Sequence, residues 1–267
     1  MTPERYSHGH HESVLRSHRW RTAENSAAFL LAHLAPDATI LDLGCGPGTI
    51  TVDLAERVPG GRVLGVDREP AVLEQARALA RERDARNVDF AVGDVYDLDL
   101  ARGTFDVVFV HQVLQHLREP VRALRALRAV LAPGGLLAVR ESDYGAFTWY
   151  PPDPRLEAWM SVYHQLTARN GASADAGREL PAWVRAAGFV DLEVSCTVWS
   201  YCRPEERRWW GGLWAERVTS SEFARQTLEY GLATPDDLAQ FAAAFRAWAD
   251  DEDGCFHVPS VEVLARA

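Results

Sequence analysis

Between Ala38 and Ser142, short runs of Val, Ile and Leu alternate with longer stretches whose apolar residues recur every three or four positions. That alternation predicts parallel strands joined by crossover helices. The strands read as Thr39–Leu43, Arg62–Val66, Val88–Val92, Phe105–Val110 and Leu136–Arg140. Continuous apolar runs fit strands covered on both faces. Helices are predicted near Ile50–Val58, Pro70–Asp84 and Glu119–Leu131. Pro70 sits where no backbone N–H is missed, and Pro133-Gly134-Gly135 is a stop signal. A helical stretch, Glu12–Leu34, precedes this unit. Beyond Ser142 the pattern is mostly helical, broken by a strand at Phe189–Tyr201 and closed by another at Phe256–Leu264. Pro204–Asp250 is then a helical insertion before the last strand, its final helix starting at Pro235 with Thr234 as N-cap. The predicted fold is α/β, with a doubly wound, mostly parallel, seven-stranded sheet.

Composition narrows the function. Of 267 residues, 47% are apolar and 25% charged, ordinary usage for a globular chain with a sizeable core. No stretch approaches the roughly 18 apolar residues of a membrane span, and the N-terminus has no apolar signal core, so a soluble cytoplasmic protein is expected. The net charge of −10 disfavours a nucleic-acid partner, which calls for a basic face. Arg122, Arg125 and Arg128, three apart, read as a solvated helix face. Cys45, Cys196, Cys202 and Cys255 form no C-x-x-C pair and no zinc spacing, so free thiols in a reducing compartment are expected.

The strongest chemical signal is Ile40-Leu41-Asp42-Leu43-Gly44-Cys45-Gly46-Pro47-Gly48-Thr49, a buried strand running into three alternate glycines and then a helix. Such a loop brings a ligand against bare backbone at a helix N-terminus. It is not the dinucleotide spacing G-x-G-x-x-G, because Thr49 holds the third glycine's place and Pro47 removes an N–H. Asp67 ends the second strand, where a carboxylate can accept both hydroxyls of a ribose. Gly93-Asp94-Val95 follows the third, where a carboxylate beside an exposed N–H can read an adenine edge. In order, these signals fall at the carboxyl ends of successive strands, where a doubly wound sheet binds ligands.

Asp42-x-Gly44-x-Gly46-x-Gly48, Asp67, Gly93-Asp94 and Leu131-x-Pro133-Gly134-Gly135 resemble class I S-adenosylmethionine-dependent methyltransferases, over about residues 38–142. Phe105-Asp106-Val107-Val108 followed by His111-Gln112-Val113-Leu114-Gln115-His116-Leu117 resembles the small-molecule branch that includes the ubiquinone/menaquinone enzymes. The resemblance implies a Rossmann-like sheet and S-adenosylmethionine as cofactor. It implies that Gly44, Cys45 and Gly46 meet the methionine and ribose, that Asp42 positions the methionine ammonium, and that Asp67 binds the ribose. Asp94 and Val95 would hold adenine, Arg68 would lie over it, and His111 would lie near the methionine end. The pattern along the chain divides it into an expected N-terminal helical lid (1–34), a cofactor domain (35–203 and 251–267) and a helical substrate cap (204–250).

Methyl transfer from a sulfonium needs alignment more than electrophilic activation. It gains from a base when the acceptor carries a proton. His111 is the first candidate by position. His11 and His18 follow, because His11, Val14, Leu15 and His18 share one helical face that can close over the cleft. His116 reads as a buried structural residue. Tyr6, Trp20, Trp149, Trp199 and Trp210 are candidates for an apolar or aromatic acceptor pocket. Adjacent Trp209 and Trp210 cannot share one helix side, so one must meet another element. A metal held by His8-Gly9-His10-His11 is the less favoured reading, and none is expected. The expectation is a small-molecule methyltransferase of natural-product tailoring, O-methylating first, with N- or C-methylation as variants. Alternatives are a quinone-precursor C-methyltransferase, a nicotinamide-dependent oxidoreductase and a non-catalytic cofactor-binding protein. The oligomeric state is open, with a homodimer through the N-terminal helix or the insertion as the candidate assembly. Asp67→Ala should weaken S-adenosylmethionine binding about tenfold to hundredfold by calorimetry, since it strands the ribose hydroxyls; unchanged affinity would refute this placement.

Overall fold

The structure, a computed structural model, describes residues 5–9 and 11–267. Three short helices open the described chain: α1 (Glu12–Arg19), α2 (Ala23–Ser26) and α3 (Ala28–Leu31). Then come β1 (Thr39–Leu43), α4 (Thr49–Arg57), β2 (Arg62–Asp67), α5 (Pro70–Glu82), β3 (Val88–Val92) and β4 (Phe105–His111). They are followed by α6 (Pro120–Val130), β5 (Leu131–Ser142), β6 (Thr148–Tyr150), α7 (Pro154–Asn170), α8 (Ala176–Ala186) and β7 (Val190–Tyr201). The chain closes with α9 (Pro204–Ser220), α10 (Glu222–Glu229), α11 (Pro235–Asp250) and β8 (Cys255–Arg266).

The sheet runs β3-β2-β1-β4-β5-β8, with the first five strands parallel and β8 antiparallel to β5. β7 pairs along the other side of β8. Among the described residues the sheet has eight strands rather than seven. The extra one, β6, lies in line with β5 beside the start of β8; at three residues, followed by Pro151, it carries no strand pattern. Alternate strand residues feed opposite cores. Ile40, Val107 and Phe109 face the side of α2, α3 and α4, while Leu41, Val108 and Val110 face α6 and α8. Both faces of the central strands β1 and β4 are therefore largely dry, as their continuous apolar runs require, whereas most of β7 is exposed.

One expectation is refined and one corrected. The helical stretch Glu12–Leu34 is three short helices, because Thr22 starts a new helix in a reciprocal capping box with Asn25. α2 and α3 then pack into the sheet core through Ala23, Ala27 and Leu30, which leaves α1 over the cleft. Cys202 and Cys255 are not free thiols; they form a disulfide, while Cys45 and Cys196 stay unpaired. The two residues are 53 apart in sequence and meet because β7 and β8 are neighbours.

Pro204–Asp250 does fold as helices, but not as an isolated appendage. α9, α10 and α11 share a third core with α7, built on Trp159, Tyr163, Trp214, Phe223, Phe245 and Phe256. The disulfide ties Cys202, between β7 and α9, to the start of β8, and so closes the two ends of this excursion. In the chain-entropy account a loop of 53 residues gives up to about 4 kcal/mol. A thermal melt with reductant should fall by several degrees, and Cys202→Ser/Cys255→Ser should melt at that lower temperature and no longer respond to reductant.

Candidate active site

The order of the strands reverses between β1 and β4, and the cleft opens where the two strand ends diverge. After Leu43 the chain turns at once: the Gly44 and Cys45 N–H groups both donate to the Val66 carbonyl, at 2.7 and 3.1 Å. Gly44 has φ +72°, and a Cβ there would lie 2.3 Å from Val113 Cγ2. Only glycine lets the loop after β4 come this close. Gly48, also left-handed, caps α4.

Three carboxylates line the cleft in the predicted order. Asp42 is buried and accepts from Thr51 Oγ1 at 2.6 Å. Burial, with Asp67 nearby, pushes its carboxyl up to about 7. Asp67 accepts from the Gly46 N–H at 3.0 Å with one oxygen and from the Glu69 N–H at 3.0 Å with the other. Asp94 is exposed, accepts from the Tyr96 N–H at 2.9 Å, and stands beside buried Val95. Cys45 and Gly46 lie between them, and exposed Arg68 is at the rim. Burial raises the Cys45 thiol well above its usual value, which argues against a reactive thiolate.

α1 covers this half of the cleft. The His18 carbonyl accepts from Thr49 Oγ1 at 3.3 Å, and the His18 ring sits above Gly46. The cleft continues past the glycine loop into a chamber lined by Tyr6, Trp20, Tyr144, Trp199, Tyr201 and Trp210. The lining runs from the glycine loop to these rings without a break, so a ligand on the loop and a second one among the rings would be neighbours. Trp209 and Trp210 both reach it: Trp210 stacks on Tyr201 at 4.3 Å, and Trp209 packs against Tyr201 and Trp20.

The residues present fit a bound adenosine. A side-chain-free turn is held open, an acid stands at the end of β2, and a second acid with an apolar neighbour follows β3. A methyltransferase domain family matches residues 34–188. An uncharacterized methyltransferase of Schizosaccharomyces pombe is 31% identical over 97% of this chain and 95% of its own length. A sequence of Aspergillus luteorubrus named as a probable methyltransferase is 30% identical over 97% and 96%. The chain belongs to the methyltransferase domain family. It is an S-adenosylmethionine-dependent methyltransferase, which sets the nicotinamide reading aside. The geranyl diphosphate methyltransferase in complex with S-adenosylmethionine has the same fold, at TM-score 0.54 and 20% identity over 95% of this chain and 88% of that one.

Within the methyltransferase, not every expected residue reaches the cleft. His11 is the N-cap of α1, accepting from the Ser13 N–H at 3.2 Å, and turns toward Glu216 outside. Trp149 stacks on Phe256, behind the chamber wall. His10 lies outside the described residues. Among the described residues, Cys202, Cys255 and His257 are grouped as metal ligands would be, but the two sulfurs are bonded to each other. His111 lines the cleft, yet its Nε2 accepts from Arg140 Nη1 at 3.1 Å. Burial and the Arg21 and Arg140 charges hold it far below the usual histidine value. Arg140 itself pairs with buried Glu262.

Several lining residues carry no local signal. His8 brings Nε2 to the hydroxyls of Tyr144 and Tyr163, at 3.2 and 2.9 Å. His116 meets Gln115 Nε2 at 3.0 Å and stands 4.6 Å from Tyr6, ring to ring. Arg21 and Arg217 enter from α1's end and from α9. Glu141 accepts from the N–H groups of Val113, Leu114 and Gln115, and so shapes the turn that carries His116. Burial pushes its carboxyl up to about 8 against the pull of those three donors.

Asp42 generates a pH prediction. Its raised value means that the empty site holds a proton near neutrality, and a cationic ligand favours the carboxylate and expels that proton. S-adenosylmethionine affinity should therefore rise between about pH 6 and 8, with proton release seen by calorimetry in two buffers of different ionisation enthalpy. Asp42→Asn should flatten the slope.

Proposed function

We propose that the chain methylates an oxygen of an apolar or aromatic small molecule, as natural-product tailoring enzymes do. The supporting observation is the ring-lined chamber, continuous with the glycine loop and closed over by α1 and α9. When bound, S-adenosylmethionine supplies a methyl group already activated on sulfur. Asp67 would hold its ribose, Asp94 and Val95 its adenine, and Asp42 its ammonium. Arg21, which donates to Gln112 just after β4 and lies over the Trp199 ring, is placed for its carboxylate. Residues 5–21 serve as the lid, and α9–α11 with α7 as the cap. Trp20, Trp199, Tyr201 and Trp210 would hold the acceptor and exclude water.

His116, rather than His111, is our candidate base. His111 has its Nε2 engaged by a guanidinium. His116 Nδ1 has no hydrogen-bond partner among the described residues, in the same wall of the chamber. With the Gln115 amide oriented to accept from Nε2–H, Nδ1 presents a lone pair to an acceptor hydroxyl. Burial lowers the ring to about 3, so it is unprotonated at neutral pH, and it would take the hydroxyl proton as the new C–O bond forms and makes that proton strongly acidic. A homodimer is compatible with this assignment but plays no part in it.

Incubation of metabolite extract with isotope-labelled S-adenosylmethionine should give a product whose label is lost on ether or ester cleavage. Retention on carbon would favour the quinone-type C-methylation. His116→Gln should lower kcat about a hundredfold with S-adenosylhomocysteine affinity unchanged. Unaltered kcat would remove His116 from the role.

A further inference from the structure

Arg217 comes from the middle of the cap and is only 5% exposed, yet it lines the chamber. Its Nη2 donates to the Ser13 carbonyl at 3.2 Å and to Ser17 Oγ at 3.0 Å, both on α1. The guanidinium lies over the Trp214 ring at 4.6 Å. Its Nε is buried without a hydrogen-bond partner, and its Nη1 makes none among the described residues. No carboxylate pairs with it among those residues, although 17 arginine–carboxylate contacts are formed elsewhere among them. Its electrostatic neighbours are Tyr6, Tyr144, Tyr163 and Tyr201. Burial pushes all four hydroxyls up, Tyr6 to about 12, so none supplies negative charge. His8 and His116 are neutral for the same reason.

A buried, uncompensated cation is costly unless something completes it. S-adenosylmethionine carries one carboxylate, and Arg21, beside Gln112, is placed for that group. Arg217 stands apart, under α1 and among Tyr6, Tyr144, Tyr163 and Tyr201, with two donor nitrogens to spare. Resting on the methyl-transfer reading above, we propose that the acceptor carries an anionic group, a carboxylate or a phosphate, which Arg217 binds while the tyrosines and tryptophans hold an apolar body. Tyr201 Oη and Trp210 Nε1, both buried and unpartnered in the same chamber, supply further hydrogen bonds to that molecule. The anion also gives α1 a reason to close, since the Ser13 and Ser17 contacts fix Arg217 only when α1 lies in place.

The test uses the full chain saturated with S-adenosylhomocysteine, so that the cofactor half is satisfied first. Thermal melts and calorimetry compare benzoate and 1-naphthoate with benzamide and 1-naphthamide, and with phenyl phosphate. The expected result is stabilisation by anions and at least about tenfold weaker binding of the amides. Carboxylate against phosphate identifies the anion. In Arg217→Met the preference for anions should vanish while S-adenosylhomocysteine affinity stays within about twofold, and Arg217→Lys should keep part of it. Should Arg217→Met not fold, the acid-against-amide comparison on the unaltered protein still decides. Equal effects of acid and amide, including no effect from either, overturn the proposal, as does undiminished anion binding in folded Arg217→Met. Failure of S-adenosylhomocysteine itself to bind would instead refute the cofactor assignment.

Discussion

At the end of β1 the backbone must turn, release its next N–H groups to the neighbouring strand, and admit the loop after β4, all within two residues. Gly44 meets that demand: its N–H bonds to the Val66 carbonyl, its φ is positive, and Val113 occupies the space of its missing side chain. Much else follows from this contact. It brings the 112–116 turn down over the glycine loop, so that the groups surrounding a bound cofactor and those surrounding an acceptor share one wall. Glu141 holds the same turn from below through three N–H groups. A side chain at position 44 would therefore disturb both halves of the cleft.

The chamber is an electrostatic compromise. His8, His111, His116 and the tyrosines Tyr6, Tyr144 and Tyr201 are buried deeply enough to stay neutral, and the chamber's positive charge resides on guanidiniums. Lysine is absent from the chain. Arginine keeps its proton even when burial lowers it, as at Arg21, held at about 10. A lysine in the same place could shed its charge. The chamber thus combines fixed positive charge with titratable groups held uncharged.

How much of this the residues disclosed in advance depended on distance along the chain. The glycine loop, Asp67 and Asp94 were legible because each is a strand end followed by a few residues of fixed chemistry, and the sheet puts successive strand ends side by side. The five parallel strands were legible for the same reason, through local periodicity. The acceptor half was not. His8, His116 and Arg217 meet from the N-terminus, the fourth strand's loop and the cap, and no pattern within ten residues of any of them marks the meeting. Arg217 in particular looks like any arginine on a helix until Ser13, Ser17 and Trp214 surround it. Cys202 and Cys255 were misread because only strand pairing makes them neighbours. His11 was assigned to the cleft by helical spacing, but at an N-cap the chain is not yet helical and its side chain turns back on the backbone.

One short helix touches everything. α1 rests on the glycine loop through His18 and Thr49, and on the cap through Ser13, Ser17 and Arg217. A displacement of that helix would therefore loosen its grip on the glycine loop and on the cap at the same time, so two compartments built from distant parts of the chain are mechanically joined through eight residues.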